Sequence, residues 1–205
     1  MMERRLVADC AESVVSWLAP ACERIELAGS IRRERSEVND IELVCVPKRD
    51  PFDRLSLILI QLDDLALLTA GPKSKGQDKV PHGPRYYRLQ THPRAFRDTP
   101  PIQVDVFAVL RPAEWGVIYT IRTGSKDFSK WMVTEALNRG FQVRDGQLFK
   151  IHKNEQPWRF EKIPCPEERG FFTALGLSWV EPRDREQPPL LGSRTVQPNQ
   201  SINQS

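Results

Sequence analysis

GSIRRERSEVNDIELVCV, residues 29 to 46, decides how this chain is read. Its second half, Asp40 to Val46, is rich in β-branched residues and bounded by Asn39 and Pro47, so it reads as a strand. Successive strand side chains alternate between faces, so Asp40 and Glu42 project from one side while Ile41, Leu43 and Cys45 project from the other. Two such carboxylates repel and raise each other's pKa unless a cation neutralises them. The first half of the stretch supplies a complement. Gly29 and Ser30 end a short strand expected near Ile25 to Ala28 and turn the chain, with Arg32 and Arg33 directly behind. A glycine lets backbone amides approach a phosphate, a serine hydroxyl and the first N–H groups of the next turn donate to it, and arginine adds a forked cation.

Upstream, Cys10, Val14, Val15, Trp17 and Leu18 recur at three- and four-residue spacing, which predicts a helix from Asp9 to about Ala19, ended by Pro20. Downstream, Leu55 to Leu68 predicts a helix that breaks near Asp63, with a strand through Leu67. GPKSKGQDKVPHGP, residues 71 to 84, is a loop by its Gly and Pro content. Arg85 to Gln90 and Ile102 to Leu110 are the next expected strands. The second reads IQVDVFAVL and places Asp105 among apolar neighbours, where an unpaired charge is costly. After Pro112 the pattern turns helical, from Ala113 to Ile121 and again from Ser125, where Phe128, Met132, Val133, Ala136 and Leu137 share one face and Arg139-Gly140 ends the run. Residues 141–144 and 147–151 flank Asp145-Gly146 as a hairpin. A last helix is expected near Glu167 to Leu175, and from Asp184 the Pro, Gln, Asn and Ser content predicts a disordered tail. There are no internal repeats.

Asp40, Glu42 and Asp105 make three hard oxygen ligands with no His or Cys among them, a set that suits magnesium or manganese better than zinc. Magnesium is usually completed by substrate phosphates, which makes a nucleoside triphosphate the natural partner. Charge by segment agrees. The net over 205 residues is only +3, but residues 73 to 97 hold Lys73, Lys75, Lys79, Arg85, Arg88, Arg94 and Arg97 against the single acid Asp78. Interleaved with Tyr86, Tyr87 and Phe96, these cations form an electrostatic footprint for a nucleic acid or another phosphate-bearing partner. With 40% hydrophobic and 28% charged residues, the chain is long enough for one large domain or two small lobes and too short for several folding units. No apolar run approaches the roughly 20 residues that span a bilayer. Asp9 and Glu12 interrupt the only N-terminal stretch that could serve as a secretory signal, so a cytoplasmic location is expected. Cys10, Cys22, Cys45 and Cys165 are scattered, without the spacing of a disulfide framework or a zinc site.

GSIRRERSEVNDIE, QVDVF and RTGSKDFSKWM, in that order, strongly resemble the nucleotidyltransferase core of the family X DNA polymerases, and PEERGFFTALGLSWVEPRDR is similar to that family's C-terminal helix and Glu-Pro-x-x-Arg end. The resemblance covers about residues 10 to 185. It implies an α+β fold: a nucleotidyltransferase palm over residues 1–110, with a mixed sheet and flanking helices, then a small α+β lobe over 111–183 facing the nucleotide, and the tail over 184–205. It implies transfer of a nucleoside monophosphate from a (deoxy)nucleoside triphosphate to a 3′-hydroxyl of DNA, with release of pyrophosphate, by a monomer that uses two magnesium or manganese ions and acts in DNA repair. Asp40, Glu42 and Asp105 then become catalytic metal ligands. Gly29, Ser30, Arg33, Arg122, Thr123, Gly124 and Ser125 become nucleotide contacts, with Lys73, Lys75, Lys79, Arg85 and Arg88 left to hold nucleic acid.

The departures from the family pattern are specific. Glu42 stands where an Asp is usual, Ile121-Arg122 replaces an aromatic pair beside the sugar, Ser129 replaces an asparagine and Lys126 an acidic residue. Weak discrimination between ribose and deoxyribose is therefore expected. With about nine residues ahead of the first helix, neither the family's lyase domain nor its hairpin DNA clamps are expected. Transfer to RNA, a protein or a small molecule by the same core is the alternative activity, and a non-catalytic nucleotide- or nucleic-acid-binding relic is the third.

Overall fold

The computed structural model describes residues 2–49, 53–71, 82–96, 99–154 and 156–189. Its first helix, α1 (Arg4–Leu18), starts five residues before the expected Asp9. Val7 is completely buried with Cys10, Ala11, Val14 and Leu18, so packing extends the helix past the point where a polar residue offered a start. A short strand, β1 (Met2–Glu3), precedes it and pairs with β3 (Glu37–Val38).

The central sheet is mixed. Strands β2 (Cys22–Leu27), β4 (Asp40–Pro47), β5 (Leu68–Ala70), β6 (His82–Gly83), β7 (Tyr86–Thr91) and β8 (Gln103–Ala108) build it in the order β2-β4-β8-β7-β5, with β6 also paired to β7. Among the described residues only the β4–β8 contact of this sheet is parallel. One face presents Ile41, Leu43, Cys45, Val104, Val106 and Leu89 to α1 and to α3 (Arg54–Asp64), forming the larger core. The helix expected to break near Asp63 ends at Asp64, and its strand begins at Leu68. On the opposite face a one-turn helix, α2 (Gly29–Arg32), occupies the expected Gly29-Ser30 turn. Beside it, Ala28, Val44, Phe107, Val109, Trp115 and Tyr119 form a smaller core under α4 (Trp115–Thr123).

The remaining chain has its own core around Phe128, Met132, Leu148, Phe171 and Phe172. It comprises α5 (Lys126–Asn138), the antiparallel strands β9 (Phe141–Arg144), β10 (Gln147–His152) and β11 (Arg159–Ile163), and α6 (Glu168–Ala174). The Asp145-Gly146 hairpin falls where the sequence places it, with positive φ at both residues. β11 is an addition to the sequence reading. Four of its five residues are exposed, so it carries no alternating apolar signal and is held by its ladder with β10.

The tail needs a correction. Chain order continues past Asp184, because Arg185 is wholly buried and Glu186 is paired. Residues 190–205 of the expected tail lie outside the described residues, as do Lys73, Lys75, Lys79 and Arg97 of the basic segment. The four cysteines are free and buried. Among the described residues no helix is long and apolar enough to cross a membrane.

Candidate active site

The carboxylates meet on the face of the sheet that turns away from α1 and α3. Glu42 on β4 lies in direct register with Asp105 on β8, and Asp40 lies beside Gln103 two residues earlier. Parallel pairing thus brings together the three acids that the sequence singles out, from positions 65 residues apart at the extremes. Each has a distinct environment. Burial, followed by the nearby charge of Asp105, pushes the Asp40 carboxyl above its ordinary range. Glu42 is pushed up to about 7, again by burial first and then by the charge of Asp40.

Asp105 is the most buried of the three and is fully engaged by donors. Its Oδ1 accepts from the Tyr86 hydroxyl at 2.8 Å and from Arg88 Nε at 3.2 Å, and its Oδ2 accepts from Gln103 Nε2 at 2.9 Å. Burial and the bond to Asp105 push the Tyr86 phenol up to about 12. Arg88, expected among the nucleic-acid contacts, is therefore a partner of the acidic cluster, while Arg85 and Arg94 stay exposed. A second cation approaches from α4. The Arg122 guanidinium stacks on the Phe107 ring at 3.8 Å, Phe107 stacks on Tyr86, and Arg122 lies within electrostatic reach of Glu42 and Asp105. Arg33 acts on Asp40 and Glu42 in the same way. The repulsion that asks for a metal in the sequence is thus offset in the fold by three arginines.

Gly29 seats α2 against this cluster. Its φ is +56°, and a Cβ there would fall 1.9 Å from Glu42 Oε2, so only glycine allows the turn to sit on the carboxylate. One residue on, the Ser30 hydroxyl is buried without a hydrogen-bond partner among the described residues.

The rest of the Gly-Ser-arginine stretch joins the two halves of the chain. Arg32 donates to Glu168 Oε1 at 3.0 Å and Oε2 at 2.5 Å, donates to Thr123 Oγ1 at 2.6 Å, and lies over the Tyr119 ring at 3.8 Å. Glu168 also accepts from the buried Arg185 at 2.6 Å. Burial works to raise the Glu168 carboxyl, but its two arginines outweigh it and hold the group below its ordinary range. Arg33 donates to Glu186 at 2.6 Å and to the Thr123 carbonyl at 2.8 Å.

Thr123 is completely buried with its hydroxyl and carbonyl spent on Arg32 and Arg33. Gly124 packs on Phe128 and Ser129, and Ser125 caps α5 by accepting from Phe128 N at 3.1 Å. Sequence reasoning missed Tyr86, Gln103, Glu168, Arg185 and Glu186. The first two were readable as polar residues on the Asp105 face of predicted strands; Glu168 and Arg185 lie in the stretch that resembles the family's C-terminal helix and Glu-Pro-x-x-Arg end, whose last residue is Arg185, and no local signal marks Glu186.

A metal or phosphate site here would use oxygen donors of the right hardness, on adjacent strands, and the donor set fits magnesium in kind. Among the described residues, however, no group of three His, Cys, Asp or Glu side chains is gathered closely enough to hold an ion as it stands. Both Asp105 oxygens are already engaged, Oδ1 by Tyr86 and Arg88 and Oδ2 by Gln103, so an ion would have to share one of them.

The fold and site define an α+β chain with a mixed five-strand main path and flanking helices, compatible with a polymerase-beta-like fold. Residues 119–186 match the family model of the DNA polymerase beta thumb, which supports a family X polymerase-like relationship and suggests interaction with DNA. That match runs from the middle of α4 to Glu186, and the three carboxylates lie outside it. No curated protein matches the chain.

Proposed function

We propose that this chain is a metal-dependent nucleotidyltransferase of the family X polymerase type. It transfers a nucleoside monophosphate from a triphosphate to a 3′-hydroxyl of DNA and releases pyrophosphate. The observation that carries the reading is the direct register of Glu42 with Asp105, beside Asp40 and under the Gly29-Ser30 turn. The thumb match over 119–186 supports it from the other half of the chain.

In this reading Asp40, Glu42 and Asp105 hold magnesium or manganese. Bound there, such ions would supply the positive charge that a triphosphate and an attacking hydroxyl require. Ser30, whose buried hydroxyl has no partner, donates to a phosphate oxygen, and Arg33 supplies a forked cation next to it. Tyr86, Arg88 and Gln103 fix the orientation of Asp105. Arg122, held flat on Phe107, stands on the site side where the resembling family has an aromatic residue and presents donors to the sugar or the acceptor.

That substitution also favours the second reading, transfer to RNA or another hydroxyl by the same core. A steric sugar filter without a matched hydrogen bond discriminates by only about 1–3 kcal/mol, so ribose is excluded by about 100-fold or less. The test is an extension assay that offers primed DNA, primed RNA and free hydroxyl acceptors, each triphosphate, and magnesium or manganese. DNA extension with pyrophosphate release, lost in Asp40→Asn, is the expected result. Extension of RNA alone selects the second reading, and no transfer to any acceptor overturns both.

A further inference from the structure

We infer that Glu186 is a built-in competitor for the triphosphate: its carboxylate occupies Arg33 in the nucleotide-free protein and must yield when a phosphate binds. This rests on the reading of Ser30 and Arg33 as a phosphate seat and adds the regulation of that seat.

The geometry is that of a strap with a fixed root and a releasable tip. The root is Arg185, wholly buried, whose Nη1 binds Glu168 at 2.6 Å and whose Nε donates to the Val180 carbonyl at 3.0 Å. Its guanidinium sits 4.6 Å from the centre of the Trp179 ring and 5.2 Å from that of Phe172. Ser125 clasps the segment twice: its N–H donates to the Arg185 carbonyl at 3.0 Å and its hydroxyl to the Glu186 carbonyl at 2.7 Å. The backbone of Glu186 is thereby fixed without any help from its side chain.

The tip is different. The Glu186 carboxylate lies 2.6 Å from Arg33 Nε and 3.7 Å from Arg35 Nε. Its side chain is 32% exposed while that of Arg33 is 11% exposed, so the anion reaches solvent more than the cation it is paired with. It can therefore leave without opening the core. A phosphate reaching Arg33 from solvent meets this carboxylate first, and the two anions compete for one guanidinium edge. Ser30, with its unpartnered buried hydroxyl, lies three residues before Arg33 on the same turn of chain and is not engaged by Glu186. The seat thus carries one donor in waiting and one donor covered by an internal anion.

The experiment measures binding of inorganic tripolyphosphate, and separately of a non-hydrolysable deoxynucleoside triphosphate with magnesium, by calorimetry on the full chain. Wild type is compared with Glu186→Gln, Glu186→Ala, Glu186→Asp and Arg33→Gln, each checked for an unchanged melting temperature within a few degrees. Glu186→Gln and Glu186→Ala should bind both probes about three- to tenfold tighter, as expected for removing a partly exposed competing charge. Glu186→Asp, which keeps the charge, should stay closer to wild type, and Arg33→Gln should lose the gain when combined with Glu186→Gln. Equal or weaker binding in Glu186→Gln and Glu186→Ala overturns the competitor role while leaving the phosphate seat standing. If neither wild type nor any variant binds either probe, the seat itself is refuted and the competitor falls with it.

Discussion

Glu168→Gln should destabilise the protein far more than its change of one charge on the surface would. The substitution preserves shape and keeps one acceptor, so its cost is the loss of counter-charge for Arg32 and Arg185. Arg185 has no exposed surface and Glu168 only 7% of its side chain, which places the pair in the class where removing one partner costs about 3–5 kcal/mol. Set against a total stability of about 5–15 kcal/mol, that is a large fraction. Glu167→Gln, one residue earlier, is the internal control. Its pair with Arg24 has side chains 36% and 62% exposed, and losing it should cost under about 1 kcal/mol. Urea unfolding at pH 7 followed by tryptophan fluorescence suits the measurement, because Trp179 lies on Arg185 and reports the lobe directly. The network also sets a pH dependence. Since the folded carboxyl of Glu168 is depressed from its ordinary 4.5, its stabilisation is fully present above that value and is lost as pH falls through the folded value. A cost for Glu168→Gln no greater than that for Glu167→Gln would refute the assignment of this network as the main tie between the two halves.

Asp105→Asn should lower metal-free stability by about 3 kcal/mol, because it removes the charge that faces Arg88 and turns an amide N–H₂ toward the donors on one of the two oxygen positions, Tyr86 and Arg88 on one or Gln103 on the other; urea midpoints equal to wild type would contradict this. Glu42→Gln should act in the opposite sense. With a folded pKa of about 7 against 4.5, Glu42 costs the metal-free protein stability as pH rises from about 4.5 to 7, so the glutamine variant should lack that slope and be more stable above pH 7 by up to about 3 kcal/mol, read from melting temperature against pH. Gly29→Ala should cost about 1–2 kcal/mol for the left-handed backbone plus the displacement of Glu42, and most of the second part should be lost in a Glu42→Ala background, which keeps only the Cβ contact at 3.0 Å, as judged by a double-mutant cycle.

Local pattern was enough for much of the framework. The alternation in DIELVCVP and IQVDVF, the Asp145-Gly146 turn and the apolar face of α5 each encode their element within a few residues, because backbone sterics and side-chain periodicity are local. The same alternation puts Asp40, Glu42 and Asp105 on one side of their strands, and so the acidic cluster is legible in the amino-acid order alone. β11 is not, since RFEKI exposes most of its side chains and owes its conformation to hydrogen bonds with β10.

What neutralises the cluster was decided only by the tertiary structure. From sequence, Asp105 is an acid among apolar neighbours and Arg88 a member of a basic run; antiparallel pairing of β7 with β8 sets them in register and turns the demand for a cation into an ion pair. Arg32 and Arg33 read as phosphate ligands from their place after Gly-Ser, yet they find Glu168 and Glu186, 136 and 153 residues away. Arg185 fell within the tail expected from Asp184, although it also closes the Glu-Pro-x-x-Arg end. A charged residue in a polar run carries no local sign of burial, and only a distant carboxylate and an aromatic pocket make burying it favourable. Strand periodicity is written in neighbours, whereas the partner of a charge is chosen by the fold.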